Sequence, residues 1–265
     1  MSGTALALRA ALRAEWTKQR TITGPAWLLM AVIAFTVAIS VAAMAATGCP
    51  AGISCPVDTT RLSLTGVQFG QAVVAILAVL AVCNEYSTGM IRMTLAAMPR
   101  RSVVLAAKTC VSSGLAVAAS AVAVVACVLA ARLMLPDHGF TAARGFPLTS
   151  LADPGTLRAA IGSVLYLGLI ALLSAGVAAI VRDPAVAIGA VLALLYVFPV
   201  VAAFVGNPLW HNRIERYSPM AGLNIQATTG LHGLPITPWA GLGVLAAWAG
   251  AAILGGGLVL KVRDA

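Results

Sequence analysis

Charged side chains are scarce in this chain: 9% of its 265 residues are Asp, Glu, Lys or Arg, against about 25% in an ordinary soluble domain. A water-facing globular surface is excluded. Three lysines occur, Lys18, Lys108 and Lys261, and none follows a glycine, so the G-x-x-x-x-G-K-[ST] loop that cradles nucleotide phosphates is missing. The chain is not its own P-loop motor. Alternating strands of about ten residues are missing too, which argues against a membrane barrel. His138, His211 and His232 fall in polar stretches without an H-E-x-x-H pattern, and no cysteine pair has zinc spacing. They read as solvated loop histidines, and the sequence offers no metal site, resident cofactor or catalytic residue.

Apolar residues are what the chain has, at 60% of the total. Six runs lie near 24–46, 66–84, 103–131, 157–181, 185–206 and 238–260. About 20 residues of helix cross a bilayer core of about 30 Å, and backbone groups in lipid must pair internally. The expected fold is therefore all-α and polytopic, with six transmembrane helices in a single domain spanning 1–265 and no internal repeat. The first run is longer than the 7–15 residues or so of a signal-peptide core and ends in no cleavage site, so it should stay as an anchor. Pro25 opens it; Asp183 then Pro184 give a cap-then-proline start to the fifth. The third run is long enough to tilt or project. The short Arg182-Asp183-Pro184 link makes the fourth and fifth an antiparallel hairpin.

A net charge of +9 raises nucleic acid as a partner, yet the basic residues form no stripe. They sit between the apolar runs, as topology determinants do. With the N-terminus inside, eleven Lys and Arg are cytosolic (Arg9, Arg13, Lys18, Arg20, Arg92, Arg100, Arg101, Lys108, Arg182, Lys261 and Arg263) and six are outside. Acidic residues, which the rule ignores, divide four and four. The expectation is a cell (plasma or inner) membrane protein with both termini cytoplasmic, exposing 47–65, 132–156 and 207–237 outside. In the last of these, Ile214, Tyr217, Met220, Leu223 and Ile225 among Pro, Gly and Asn suit short helices resting on the outer interface or dipping back toward the bilayer.

The span interiors lack Asp, Glu, Lys, Arg and His, with Glu85 and Lys108 near the cytosolic ends. This weakens a proton- or ion-coupled carrier, although carbonyls at a broken helix can still bind an ion. Ser112, Ser120, Ser163 and Ser174 read as small helix-packing positions. Cys83, Cys110 and Cys127 lie in or beside apolar runs and act as small hydrophobes. Cys49 and Cys55 share one polar loop and can close a disulfide ring if that loop faces an oxidising exterior; spacing alone does not decide it.

Two stretches are neither span nor plain loop. On a helical wheel of residues 4–20, Leu8, Leu12 and Trp16 form one stripe and Arg9, Arg13 and Arg20 cluster beside it, as in a helix lying in the interface plane. In residues 85–101, Ser87 or Thr88 can cap a short helix that Pro99 stops. Ile91, Leu95 and Met98 then recur on one face, with Met90, Met93 and Ala97 alongside. That face can lie on the membrane or fill a groove on a soluble partner.

At these two stretches the sequence resembles the permease subunits of type-2 ABC exporters, ATP-binding-cassette systems in which a six-span subunit pairs with a separate ATPase. Leu12-Arg13-Ala14-Glu15-Trp16-Thr17-Lys18 is similar to the family's connecting helix. The stretch from Glu85 through Gly89, Met90, Ile91, Arg92, Leu95, Pro99, Arg100 and Arg101 to Lys108 is similar to its coupling helix, with Met90 where the family usually has Thr. The resemblance implies contact with the ATPase through Glu85, Gly89, Met90, Ile91, Leu95 and Met98, and an interfacial helix carrying Arg9, Arg13, Glu15, Trp16 and Lys18. It implies a homodimer or heterodimer with a second permease subunit, two copies of a cytosolic ATPase holding ATP and Mg, and no nucleic acid. It further implies a path lined mainly by spans one, two and five. Gln68, Phe69, Gln71, Tyr196, Phe198 and Phe204 are the candidates there, against helix packing for each. Pro199 bends the fifth span or merely packs. A path of aromatics and amides without charges suits a hydrophobic or amphipathic cargo. The competing readings are a non-transport anchor or sensor of a regulatory complex, and an ATP-independent carrier.

Overall fold

The computed structural model describes residues 2–21, 23–50, 55–87, 101–144, 146 and 149–263. Among them the regular structure is entirely helical. The helices are α1 (Ser2–Thr21), α2 (Thr23–Ala46), α3 (Thr59–Ser63), α4 (Thr65–Ser87), α5 (Arg101–Met134), α6 (Pro154–Val181), α7 (Pro184–Phe204), α8 (Pro208–Tyr217) and α9 (Pro238–Arg263). Six of these, α2, α4, α5, α6, α7 and α9, are long and apolar enough to cross a membrane. They coincide with the six apolar runs, and α4 continues past the expected end at 84 to Ser87.

Local sequence sets the helix starts. Asp153, Asp183 and Asn207 each stand before a proline, and each side chain accepts a hydrogen bond from a backbone amide of the first turn, at 2.8, 2.8 and 2.9 Å. Proline fits there because that position has no intrahelical acceptor for its missing N–H. Helix α6 ends on Arg182, whose left-handed φ of 65° reverses the chain. One residue later Asp183 caps α7, so the two spans form the expected hairpin.

Helices α4 and α6 form the centre: 61% of the most apolar window of each is buried, against 22% for α2, α7 and α9. Tyr166, Leu167, Ile170 and Leu173 of α6 are sealed on all sides. Close approach depends on small residues. A Cβ at Gly66 or Gly70 of α4 would collide with Thr36 of α2, and the Gly66 amide donates to Ser40 Oγ at 3.0 Å. Small residues four apart allow two membrane helices to meet backbone to backbone.

The chain between α7 and α9 does two different things. Helix α8 has no buried residue, whereas the following tight 3₁₀ turns, Pro219–Gln226, bury Met220, Ala221, Ile225 and Gln226. Ile225 fills the space that a side chain at Gly162 of α6 would take, and Gly222 lies against the Tyr166 ring. This part of the expected interfacial segment is thus a wedge between α6 and α9, because glycines on both sides leave it room.

A smaller core of Met44, Cys49, Ala131, Leu135 and Phe140 seals the same end of the bundle beside α2 and α5. There Cys49 and Cys55 are joined in a disulfide with Cα atoms 6.0 Å apart.

Candidate functional site

A pocket of about 350 Å³ opens at the end of the bundle that carries the disulfide and the wedge. One wall is α4 with Gln68, and another is α7 at Pro199; Arg61, Glu215, Asn224 and Gln226 supply further polar lining. Gly66 and Gly70 turn one face of α4 to α2, which sets Gln68, about 200° round the helix from Gly66, on the opposite side. Tyr196 of α7 donates its hydroxyl to the Gln68 carbonyl at 3.0 Å. Pro199 lacks an amide hydrogen, so the α7 ladder is one bond short beside the pocket.

Asp58 holds the pocket's rim together. Its carboxylate caps α3 through the Arg61 amide at 3.0 Å and accepts from the Thr228 amide, the Thr228 hydroxyl at 2.8 Å and the Thr229 amide at 2.9 Å. Burial pushes this carboxyl up, and the combined hydrogen bonds from Arg61, Thr229 and Thr228 outweigh burial and hold it below the usual carboxylate value. Thr60 and Thr156 hydroxyls meet at 3.2 Å, and Arg158 donates to the Ala227 carbonyl. The start of α3, the start of α6 and the end of the wedge are thereby one unit.

The expected path residues separate. Gln68 and Phe69 are exposed and Tyr196 is half-buried beside them. Gln71 belongs to the interior: it is fully buried and its Oε1 accepts from the Tyr166 hydroxyl, joining α4 to α6. Phe198 turns to α9, its ring 6.2 Å from that of Trp248, and Phe204 stands 87% exposed outside the pocket. The lining of this pocket is charged, because Arg61 and Glu215 enter it from α3 and α8 rather than from span interiors.

At the opposite ends of α4 and α5 lies a second cluster. Lys108 of α5 reaches Glu15 of α1 at 3.4 Å and the Ala81 carbonyl of α4 at 3.2 Å. Both charged side chains are buried. Helix α1 therefore presents Ala11 and Glu15 to the bundle, while Leu8, Arg9, Arg13 and Trp16 are exposed and Lys18 is half-buried. The wheel had identified the apolar stripe, and the protein-facing side is its neighbour. Of the expected coupling residues, Gly89, Met90, Ile91, Leu95 and Met98 lie outside the described residues. Glu85 falls in the last turn of α4, and its side chain is likewise outside them.

Two histidines are tied down. His138 donates from Nδ1 to the Met134 carbonyl and His211 to that of Ala202, each at 2.9 Å, since a carbonyl can only accept. Both rings stay partly exposed, but these bonds, and the placement of His211 within α8, differ from the expectation of free solvated loops; His232 is exposed. Among the described residues, no three His, Cys, Asp or Glu gather as a metal-binding group.

Six apolar helices, two of them enclosed by the rest, define a multi-pass helical membrane protein. No family model matches the chain, and no curated protein matches it either.

Proposed function

We propose that this chain is the membrane-spanning permease subunit of an ABC transporter, paired with a second permease subunit and driven by two copies of a cytosolic ATPase that binds ATP and Mg. In this reading the termini are cytoplasmic, α1 lies at the inner face of the cell membrane, and the pocket opens outside. The observation that carries the reading is the junction at Lys108. It binds α1, α4 and α5 where α4 and α5 flank residues 88–100, the stretch that resembles a coupling helix. A push there reaches Ala81, and Gln68 stands 13 residues along the same helix, about 20 Å away. Helix α4 is then the rod between motor contact and pocket, and the Pro199 position lets α7 follow.

The pocket favours an amphipathic cargo. Met220, Leu223 and Leu234 offer apolar surface, and Arg61, Glu215, Gln68 and Asn224 offer opposite charges and amides. The test is co-purification. Tagged wild-type chain retains a P-loop ATPase, and Ile91→Asp or Leu95→Asp releases it while the chain stays in the membrane. Retention by all three proteins, or by none, contradicts the proposal.

A further inference from the structure

A second depression, a groove of about 680 Å³, runs along the lipid-facing side of α9 beneath the end of α8. Its floor is Ala240, Gly243, Val244, Ala247 and Ala251, with Trp248 and Tyr217 as walls and Arg216 also in the lining. We propose that this groove seats one anionic glycerophospholipid, with an acyl chain along the floor and the phosphate at Arg216. The volume lies within the range of about 300 to 1,000 Å³ usual for ligand sites.

The dimensions fit one leaflet. From Ala240 to Ala251 the helix rises about 16 Å, half of a hydrocarbon core of about 30 Å. Residues 240, 243, 244, 247 and 251 share one helix face and carry nothing longer than Val, so the floor is a smooth channel rather than a row of knobs. The wall is fixed in place: Trp248 donates from Nε1 to the Tyr217 carbonyl at 3.0 Å and meets the Phe198 ring edge-on.

Charge identifies the occupant. Arg216 is exposed in the groove lining and makes no ion pair among the described residues. Trp210 and Tyr217, both exposed on α8, are the residue types that settle at headgroup depth. Arg213 lies over the Trp210 ring, 5.5 Å from its centroid, which leaves Arg216 as the cation facing the groove. A planar guanidinium matches phosphate oxygens through two parallel hydrogen bonds. A helix from a second copy of the chain can also pack on small residues, and the test separates that occupant from a lipid.

The test uses the full chain in detergent micelles, with bound lipid counted by native mass spectrometry after titration with phosphatidylglycerol or phosphatidylcholine. Gly243→Leu fills the groove, and an added Cβ there meets no protein atom within 4 Å. Gly189→Leu makes the same change on the exposed face of α7, where nothing lies within 4 Å either. Wild type and Gly189→Leu should hold one phosphatidylglycerol per chain about tenfold more tightly than phosphatidylcholine. Arg216→Gln should erase that preference, and Gly243→Leu should release both lipids. Equal retention by all four proteins overturns the proposal. So does a wild-type dimer that Gly243→Leu dissociates without changing bound lipid, which would make the groove an interface between copies.

Discussion

The Lys108 ammonium sits 3.4 Å from the Glu15 carboxylate and 3.2 Å from the Ala81 carbonyl oxygen, so one side chain joins three helices. Glu15 is 93 residues away in sequence. A buried ion pair repays its desolvation only when the remaining protons are also satisfied, and the Ala81 carbonyl takes one of them.

Removing one partner leaves the other charged and enclosed. Glu15→Gln or Lys108→Met should each destabilise the chain by roughly 3 kcal/mol, read as a fall in thermal unfolding temperature in detergent. Glu15→Leu combined with Lys108→Met should recover most of that loss. In the transport reading the double variant stays folded yet couples poorly, because the polar tie between α1 and the end of α4 is gone.

Gly66 makes a second, independent test of the packing. Gly66→Ala puts a Cβ against the Thr36 carbonyl and should cost about 1–3 kcal/mol through overpacking. Gly189→Ala, in open space on α7, should be neutral or slightly stabilising, since Ala is the better helix former. Similar unfolding temperatures for the two variants would mean that α2 and α4 do not meet at Gly66.

Asp58 predicts a pH dependence. Its folded-state pKa lies below the unfolded value, so the unfolded chain takes up the proton first on acidification. Its contribution to stability is therefore complete above the unfolded value near 4 and lost as pH falls through the folded value. Asp58→Ala should cost about 2 kcal/mol at neutral pH, from a lost helix cap and lost charge-assisted hydrogen bonds to Thr228 and Thr229. The variant should also show a flatter stability profile below pH 4, measured by unfolding across a pH series.

How much of this was legible beforehand depends on range. The six spans follow from run length, and the Asp-Pro start of α7 from its cap. The rotation of α4 was not read, although the signal was present: Gly66 and Gly70 four apart mark the side that meets α2. That rotation turns both Gln68 and Gln71 away from α2, since i and i+3 share a face; nearly one turn of depth then sets Gln71 against Tyr166 and Gln68 at the pocket. Arg61 and Glu215 were missed because short helices outside the spans bring them in. Asp58 and Thr228, 170 residues apart, fix that approach, and no local pattern encodes it. Glu15 was read for its helix and not for its partner, since wheels rank apolar faces and pass over a single buried charge.

The central claim is that a separate motor drives this chain through residues 88–100. The most direct test is MgATP hydrolysis retained by the tagged full-length chain after purification and reconstitution into liposomes. Wild type should carry vanadate-sensitive hydrolysis, and Ile91→Asp combined with Leu95→Asp should lose it while remaining monodisperse and membrane-inserted. Hydrolysis that is absent from the wild type, or equal in the two proteins, would contradict the account.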